Sequence, residues 1–271
     1  MVRKDIAAPT RGPARTVAGM DHTEEHSRRA SSFGSQAAAY AKYRPDYPRE
    51  ALVWALEPVR DAPGLRVLDI GAGTGKLTGG LVALGVDVVA VEPDAAMLGE
   101  LTSRFPGVTA AIGSAEDIPL PDDSVHGAFA GQALHWFDLE RAVPEMARVL
   151  APGGVLAGLW NMDDDRVPWV TGYKAAAGSR VSFKRLDTVR MPPSDGFFLP
   201  PAGAEFPHVQ RRTAESLTAT VATHSHVLVL TEQERTEVLD RVLGYLRTTP
   251  ETAGGEFDLP IITMAGRARR A

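Results

Sequence analysis

The feature that most constrains this chain is an apolar run that breaks into three glycines at alternate positions. Residues 67–70 are apolar apart from Asp69, and Gly71, Gly73 and Gly75 follow directly. The pattern predicts a strand and then a tight turn, because glycine accepts positive φ and lets the backbone lie against a ligand. Such a turn is typical of proteins that bind nucleotide-like ligands.

Three ligand classes compete for this turn, and the spacing separates them. A phosphate-binding P-loop needs a glycine where Ile70 stands and a hydroxyl where Leu77 stands. A dinucleotide fingerprint would place its third glycine at Lys76, and its diphosphate would sit poorly beside Asp69. The pattern D-x-G-x-G-x-G instead suits a ligand without phosphate that carries a positive centre, as S-adenosylmethionine (SAM) does.

A second acid supports this interpretation. A β-branched run over residues 86–91 stops at Glu92, which is followed by Pro93 and Asp94. An acid at the end of a second strand, about 20 residues past the glycines, can accept hydrogen bonds from ribose hydroxyls. Alternatively, Glu92 caps the helix that follows.

Five segments in this order resemble the class I SAM-dependent methyltransferases. They read VLDIGAGTGKLT, VVAVEPDAAML, GSAEDIPLPDDSV, GQALHWFD and RVLAPGGVLAGLWN. The likeness is greatest to the type 11 group of small-molecule enzymes, which includes ubiquinone/menaquinone-biosynthesis and trans-aconitate-like methyltransferases. It covers residues 33–161 well and the remainder loosely. It implies methyl transfer from SAM to a small-molecule acceptor.

Strands and helical stretches alternate along the chain, which predicts an α/β fold with a doubly wound, mostly parallel sheet. The resemblance implies a Rossmann-like sheet of seven strands with helices on both faces, an antiparallel pair of last strands, and an insertion that covers the substrate. A capping box, Thr231 to Glu234, predicts the start of a helix. The predicted strands lie near 65–70, 86–91, 108–112, 125–130, 154–160 and 257–265.

The chain divides by composition. Residues 1–30 are rich in Ala, Pro, Gly, Arg and Thr and predict a disordered tail, with Met20 as an alternative start. Residues 31–271 form the predicted methyltransferase domain, with its core in 33–161. We expect residues 162–230 to cover the substrate, with irregular connections at 191–193 and 199–203, and residues 231–271 to supply a helix and the last strand.

The resemblance assigns cofactor-binding roles to four segments and to the helix before the domain. Asp69 is expected to hold the loop or the amino group of SAM, although helix capping would also explain it. Tyr40 and Arg44 are expected to meet the SAM carboxylate, with a surface salt bridge as the alternative for Arg44. The other predicted cofactor-binding residues are Gly71, Ala72, Gly73, Thr74, Gly75, Glu92, Pro93, Met97, Ser114, Ala115, Glu116, Gln132 and Ala133.

The segment after the fourth strand carries the candidate catalytic residues. His135 could deprotonate an acceptor hydroxyl, and the aromatic face of Trp136 could stabilise the sulfonium or stack on the acceptor. Both could instead be structural. Trp160 and Asn161, at the end of the fifth strand, could reach the acceptor pocket, although Trp160 could equally pack in the core. A carboxylate acceptor would need no base, so the sequence leaves O-methylation of a carboxylate or of a hydroxyl open.

The composition of the chain limits which partners and cofactors it is expected to bind. The net charge of −5 does not favour nucleic acid, and no run approaches the ~18 apolar residues of a membrane helix. The chain has no cysteine, which excludes disulfides and thiolate metal sites and is compatible with the expected cytoplasmic location. We expect a monomer or homodimer.

The acidic triplet at residues 163–165 predicts a solvated loop rather than a Mg²⁺ site, so metal-independent activity is expected. The alternatives that remain open are a SAM-binding scaffold without activity, a nucleic-acid methyltransferase and a nicotinamide dehydrogenase.

Overall fold

The computed structural model describes residues 43–179, 191 and 196–271. The predicted tail of residues 1–30 and the candidate residue Tyr40 lie outside these ranges. Within them, seven strands form one sheet in the order β3-β2-β1-β4-β5-β7-β6. The strands are β1 Arg66–Ile70, β2 Asp87–Glu92, β3 Thr109–Ile112, β4 Val125–Gly131, β5 Leu150–Asp163, β6 Ala202–Arg212 and β7 Phe257–Arg269.

Eight α-helices accompany the sheet in the described part of the chain. They are α1 Arg49–Leu56, α2 Lys76–Ala83, α3 Ala95–Arg104, α4 Leu139–Val149, α5 Pro168–Ala176, α6 Ala214–Val221, α7 Ser225–Leu228 and α8 Glu232–Thr248. Two 3₁₀-helices lie at Glu57–Val59 and Leu134–Trp136. The predicted capping box opens α8, with reciprocal hydrogen bonds between Thr231 and Glu234.

The sheet has the predicted topology. Strands β1 to β5 pair in parallel, whereas β7 is antiparallel to both β5 and β6. The six predicted strands are confirmed, although β5 and β7 run several residues beyond their predicted ends. The irregular connection predicted at 199–203 is partly wrong, because Ala202 and Gly203 already pair with β7 and begin the edge strand β6.

Alternation along the central strands buries both faces of the sheet. On β1, Val67 packs in a cluster with Leu52 of α1 and Leu81 of α2. The next residue, Leu68, points the other way and packs with Met146 of α4. Burying one such side chain contributes roughly 1.5–3 kcal/mol, so this alternation holds helices against both faces.

The carboxyl-terminal helices form a separate cluster beside the start of β7. Side chains of α5, α6 and α8 pack with one another and with the start of β7, where Phe257 and Ile261 are buried. These helices stand beside the carboxyl end of β5, so they flank the edge of the sheet where α/β proteins bind ligands.

Candidate functional site

A cleft of about 240 Å³ lies at the carboxyl ends of β1 and β4. The chain proceeds from β1 to β2 on one side and later from β4 to β5 on the other, so the cleft occupies the switch point of the sheet. The predicted residues that line it are Arg44, Asp69, Gly71, Ala72, Gly73, Thr74, Glu92, Pro93, Met97, Ser114, Ala115, Glu116, Gln132, Ala133 and Trp136.

The glycine turn needs its glycines for different reasons. Gly71 has φ +66°, and a Cβ there would lie 2.7 Å from the Cβ of Ala133. Gly73 has φ +56°, but within the described residues a Cβ there would meet only the Met97 Sδ at 3.9 Å. Gly71 is therefore required by packing against the end of β4, whereas the space above Gly73 is open to the cleft.

Gly75, also predicted to bind the cofactor, does not line the cleft. Its φ is +84°, and a Cβ at this position would lie 2.9 Å from the ring of Phe105. Gly75 is the residue at the N-cap of α2. Its conformation and close packing explain the glycine without a ligand contact.

Asp69 lies fully buried at the floor of the cleft. Its Oδ2 accepts a hydrogen bond of 2.6 Å from the Oγ1 of Thr78, in the first turn of α2. Its Oδ1 is buried and has no hydrogen-bond partner among the described residues. Burial raises the pKa of Asp69 from 3.8 to about 7; hydrogen bonds from Thr78 oppose the rise and the charge of Glu92 adds to it. One oxygen thus holds the helix start, and the other is open to a donor.

Glu92 holds the glycine turn from the side of β2. Its Oε2 accepts from the Gly73 amide at 2.9 Å and its Oε1 from the Asp94 amide at 3.0 Å. Burial raises the pKa of Glu92, and these backbone donors oppose the rise. Asp94, not Glu92, is the N-cap of α3, because its side chain accepts from the amides of Ala96 and Met97. Helix capping therefore does not explain Glu92.

Thr74 offers a second open oxygen in the turn. Its hydroxyl Oγ1 is buried and without a hydrogen-bond partner in the part of the chain that the structure covers. Its carbonyl accepts a hydrogen bond of 2.7 Å from Arg104, the last residue of α3. The turn is therefore fixed by its neighbours while one buried hydroxyl is left for a ligand.

The predicted adenine segment lines the opposite wall. Ser114, Ala115 and Glu116 follow β3 and contribute to the cleft. The Oε1 of Glu116 accepts from the amide of Asp138 at 2.9 Å, which ties this segment to the start of α4.

The end of β4 brings Gln132, Ala133 and Trp136 to the cleft, but not His135. Gln132 has φ +56°, a left-handed conformation that is unusual for a residue with a side chain, and its Nε2 donates to the Asn161 carbonyl at 2.7 Å. His135 is exposed and lies outside the cleft lining, with its ring 4.9 Å from that of Trp136. Its catalytic role stays a prediction.

Residues 44–48, which we call the strap, form a further wall. Arg44 lines the cleft, and its guanidinium donates to the hydroxyl of Thr223 at 3.1 Å and to the carbonyl of Thr223 at 3.0 Å. On the other side, Lys76 donates to Asp46 at 2.9 Å. The strap thus connects the glycine turn with the carboxyl-terminal helices.

Seven residues of the cleft were not among the predicted cofactor-binding or catalytic residues. One of them, Asn161, was instead expected to reach the acceptor pocket from the end of the fifth strand. Tyr47 and its neighbour Pro45 stand in a proline-rich segment, whose pattern shows an extended chain but not what it contacts. The seven are Pro45, Tyr47, Lys76, Leu77, Gly131, Phe137 and Asn161.

The acidic triplet is not the solvated loop that the sequence predicts. Strand β5 continues to Asp163, whose carboxylate accepts from the buried hydroxyl of Tyr173 on α5. Asp165 is also buried, with an oxygen 3.4 Å from the Nζ of Lys174. Burial raises the pKa of Asp163. The prediction fails because α5 folds back over the end of β5, where it helps to bury Asp165 and contacts Asp163 through Tyr173.

Two absences hold for the described residues alone. Histidine and acidic side chains in them form no group of three that could hold a metal ion. Their helices include none with the length and apolar character needed to cross a membrane.

A family model matches the central part of the chain, and two known proteins match more than four fifths of it. A family model described as "Methyltransferase domain" matches residues 68–158. An uncharacterised methyltransferase of Mycobacterium tuberculosis is 43% identical over 249 residues, 89% of this chain and 96% of the relative. A protein of Anaeromyxobacter dehalogenans, described as a type II methyltransferase, superposes with a TM-score of 0.62 at 30% identity, covering 84% of this chain and 98% of that one.

A relative with a named acceptor matches a shorter stretch. The malonyl-[acyl-carrier protein] O-methyltransferase of Methylococcus capsulatus is 40% identical over 123 residues, which make up 41% of this chain and 45% of the relative.

Proposed function

Because the chain belongs to the class I SAM-dependent methyltransferases, we propose that it methylates an oxygen of a small molecule. A carboxylate is the proposed acceptor group, in preference to a hydroxyl. The distribution of charge along the cleft carries this proposal. The carboxyl groups of Asp69, Glu92 and Glu116 line its sheet side, while Arg44 lines it at the strap together with Lys76, which is paired with Asp46. A cationic donor suits the first group, and an anionic acceptor suits the second.

SAM is the methyl donor of this family, and the residues at the floor of the cleft fit it. The space above Gly73, the buried oxygens Asp69 Oδ1 and Thr74 Oγ1, and the acid Glu92 would hold it. Each buried oxygen without a partner costs free energy that a ligand donor would recover. When bound, SAM supplies a methyl group on a sulfonium, which an acceptor oxygen attacks in line as S-adenosylhomocysteine leaves.

A carboxylate acceptor agrees better with the lining than a hydroxyl does. A carboxylate is ionised at neutral pH, whereas a hydroxyl must lose its proton to a base. Among the described lining residues there is no histidine, and His135 is exposed beside the cleft. The guanidinium of Arg44, held by Thr223, places a positive charge in the wall of the cleft that suits a carboxylate. The Methylococcus relative, an O-methyltransferase of malonyl-[acyl-carrier protein], supports an oxygen acceptor.

The protein's contribution to the rate is alignment and exclusion of water, not covalent catalysis. Trp136 and the strap would orient the acceptor, and the glycine turn would hold the donor. We propose that the reaction needs no metal ion. The acceptor is a small molecule rather than nucleic acid, in keeping with the net charge of −5.

We also infer that residues 162–230 cover the acceptor, as part of a single methyltransferase domain that begins near residue 31. The hydrogen bonds from Arg44 to Thr223 support this, because they join the wall of the cleft to the segment between α6 and α7. We expect the protein to be a monomer or homodimer in the cytoplasm.

A transfer assay with labelled SAM tests the proposal. Panels of carboxylates, phenols, alcohols and amines are supplied separately, with and without EDTA. Transfer to carboxylates that survives EDTA is the expected result. Transfer to amines alone would contradict O-methylation, and loss of turnover in EDTA would contradict metal independence. Calorimetry with SAM, S-adenosylhomocysteine and NAD provides the control, since saturable NAD binding without SAM binding would refute the family's chemistry in this chain.

A further inference from the structure

The two prolines of the strap prevent it from forming regular backbone hydrogen bonds within itself. Pro45 and Pro48 have no N–H and keep the residues before them extended, so residues 45–48 form neither helix nor strand. The partly buried carbonyl of Pro45 therefore needs a donor from outside the strap, because a buried carbonyl without a partner is costly, whereas the carbonyl of Asp46 is exposed.

Asn161, at the end of β5, supplies that donor. Its Nδ2 lies 3.3 Å from the Pro45 carbonyl and 3.1 Å from the Asp46 carbonyl, so the two hydrogens of one amide group serve two successive carbonyls. Its own backbone carbonyl accepts from the side chain of Gln132. One residue thus joins the strap to the ends of β4 and β5.

Thr263 sets the orientation of this amide. Its hydroxyl, fully buried on β7, donates to the Asn161 Oδ1. A flipped amide would present its oxygen to two carbonyl oxygens and its NH₂ to the hydroxyl. Since a hydroxyl has a single hydrogen, the Thr263 Oγ1 must accept from the His208 Nε2 at 3.0 Å. Burial lowers the pKa of His208, which favours a neutral ring. The hydrogen bond to Thr263 then places the hydrogen of that ring on Nε2.

The strap in turn carries cleft residues into place. Arg44, Pro45 and Tyr47 all line the cleft. The Tyr47 hydroxyl packs so closely on β4 that a Cβ on Gly131 would lie 2.7 Å from it. Movement of the strap therefore changes the wall that faces the glycine turn.

We propose that Asn161 is a positioning residue for methyl transfer. Its side-chain amide, oriented by Thr263, holds the strap closed against the cleft. When the strap is released, only a fraction of molecules has a complete cleft, and the apparent affinity for a cleft ligand falls by that fraction. The loss of one hydrogen bond shifts the equilibrium between closed and open strap by up to about tenfold, so the apparent affinity falls by at most that factor.

The absence of cysteine from the chain allows a direct test. Asp46→Cys introduces a single thiol at a side chain that is 75% exposed, and a nitroxide attached there reports the mobility of the strap by electron paramagnetic resonance. The substitution removes the ion pair with Lys76, so mobility is compared only with the Asp46→Cys parent, and affinity is measured in chains that keep Asp46. In both backgrounds Thr263→Val removes the hydroxyl with little change of shape, while the control Thr263→Ser keeps it. Binding of S-adenosylhomocysteine by the full chain is measured by calorimetry, so no acceptor is needed and an error about the carboxylate leaves the test unaffected.

Thr263→Val is expected to increase the mobile fraction of the label and to weaken S-adenosylhomocysteine binding by about threefold to tenfold, while Thr263→Ser stays within about twofold of the parent. If Thr263→Val does not fold, Asn161→Ala serves as the second variant, with the same expected result. A change in thermal stability alone would assign Thr263 and Asn161 a merely structural role and overturn the proposal. So would a mobile strap with unchanged affinity, or a lowered affinity with an immobile strap.

Discussion

Replacing Asp69 by Asn should make the protein relatively more stable as the pH rises. Burial raises the pKa of this carboxyl from 3.8 to about 7, a difference that corresponds to about 4 kcal/mol. Between these values the folded state binds a proton that the unfolded state has released. The contribution of Asp69 to stability is therefore greatest at low pH, falls as the pH rises towards 7 and is constant above it. Asn cannot ionise, so the variant lacks this loss.

Urea unfolding of the wild type and of Asp69→Asn at pH 5 and pH 8 measures the effect. The difference in unfolding free energy between the two proteins should shift by about 3 kcal/mol in favour of the variant across this range. Asp117→Asn makes the same chemical change at an exposed position and serves as the control. A difference between wild type and Asp69→Asn that stays constant with pH would refute the argument from burial.

The same carboxyl links protonation to cofactor binding. If its open Oδ1 receives a positively charged donor from SAM, binding favours the ionised form and releases a proton below pH 7. Calorimetry at pH 6 in two buffers with different ionisation enthalpies should detect this release in the wild type and not in Asp69→Asn. Equal proton release from both proteins would exclude Asp69 as its source.

Three further substitutions test the other parts of the cleft. Gly71→Ala should lower the unfolding free energy in urea by about 2–4 kcal/mol, from its positive φ and the contact with Ala133; unchanged stability would contradict the packing argument. Glu92→Gln should weaken S-adenosylhomocysteine binding by calorimetry about tenfold, and retained affinity would argue against a ribose contact. His135→Ala should leave the initial rate of carboxylate methylation within about threefold, whereas a loss of about 10²-fold would show that His135 takes part in the reaction.

The parts of the fold that sequence alone predicts are those encoded by short-range patterns. Alternating burial, a capping box and β-branched runs locate the strands and α8 because each depends on residues a few positions apart. The D-x-G-x-G-x-G spacing and Glu92 predict the cleft for the same reason, since a strand that ends in a glycine turn is a local feature. The hydrogen bond from the Gly73 amide to Glu92 spans 19 residues, within one βαβ unit.

The wall of the cleft depends on contacts between residues far apart in the chain. Asn161 reaches Pro45 across 116 residues, and Arg44 reaches Thr223 across 179. Local patterning also fails for Asp163 and Asp165, because their contacts with Tyr173 and Lys174 depend on how α5 packs against the end of β5. The exposure of His135 likewise follows from how the segment before α4 packs.

The glycine turn and its two acids therefore follow from sequence, because backbone conformation and short-range charge are properties of neighbouring residues. The donor side of the cleft was predictable for that reason. The acceptor side is formed by the strap, the end of β5 and the carboxyl-terminal helices. These segments meet only when β7 pairs antiparallel with β5 and β6. Its shape and charge depend on that packing, and tertiary structure alone specifies them.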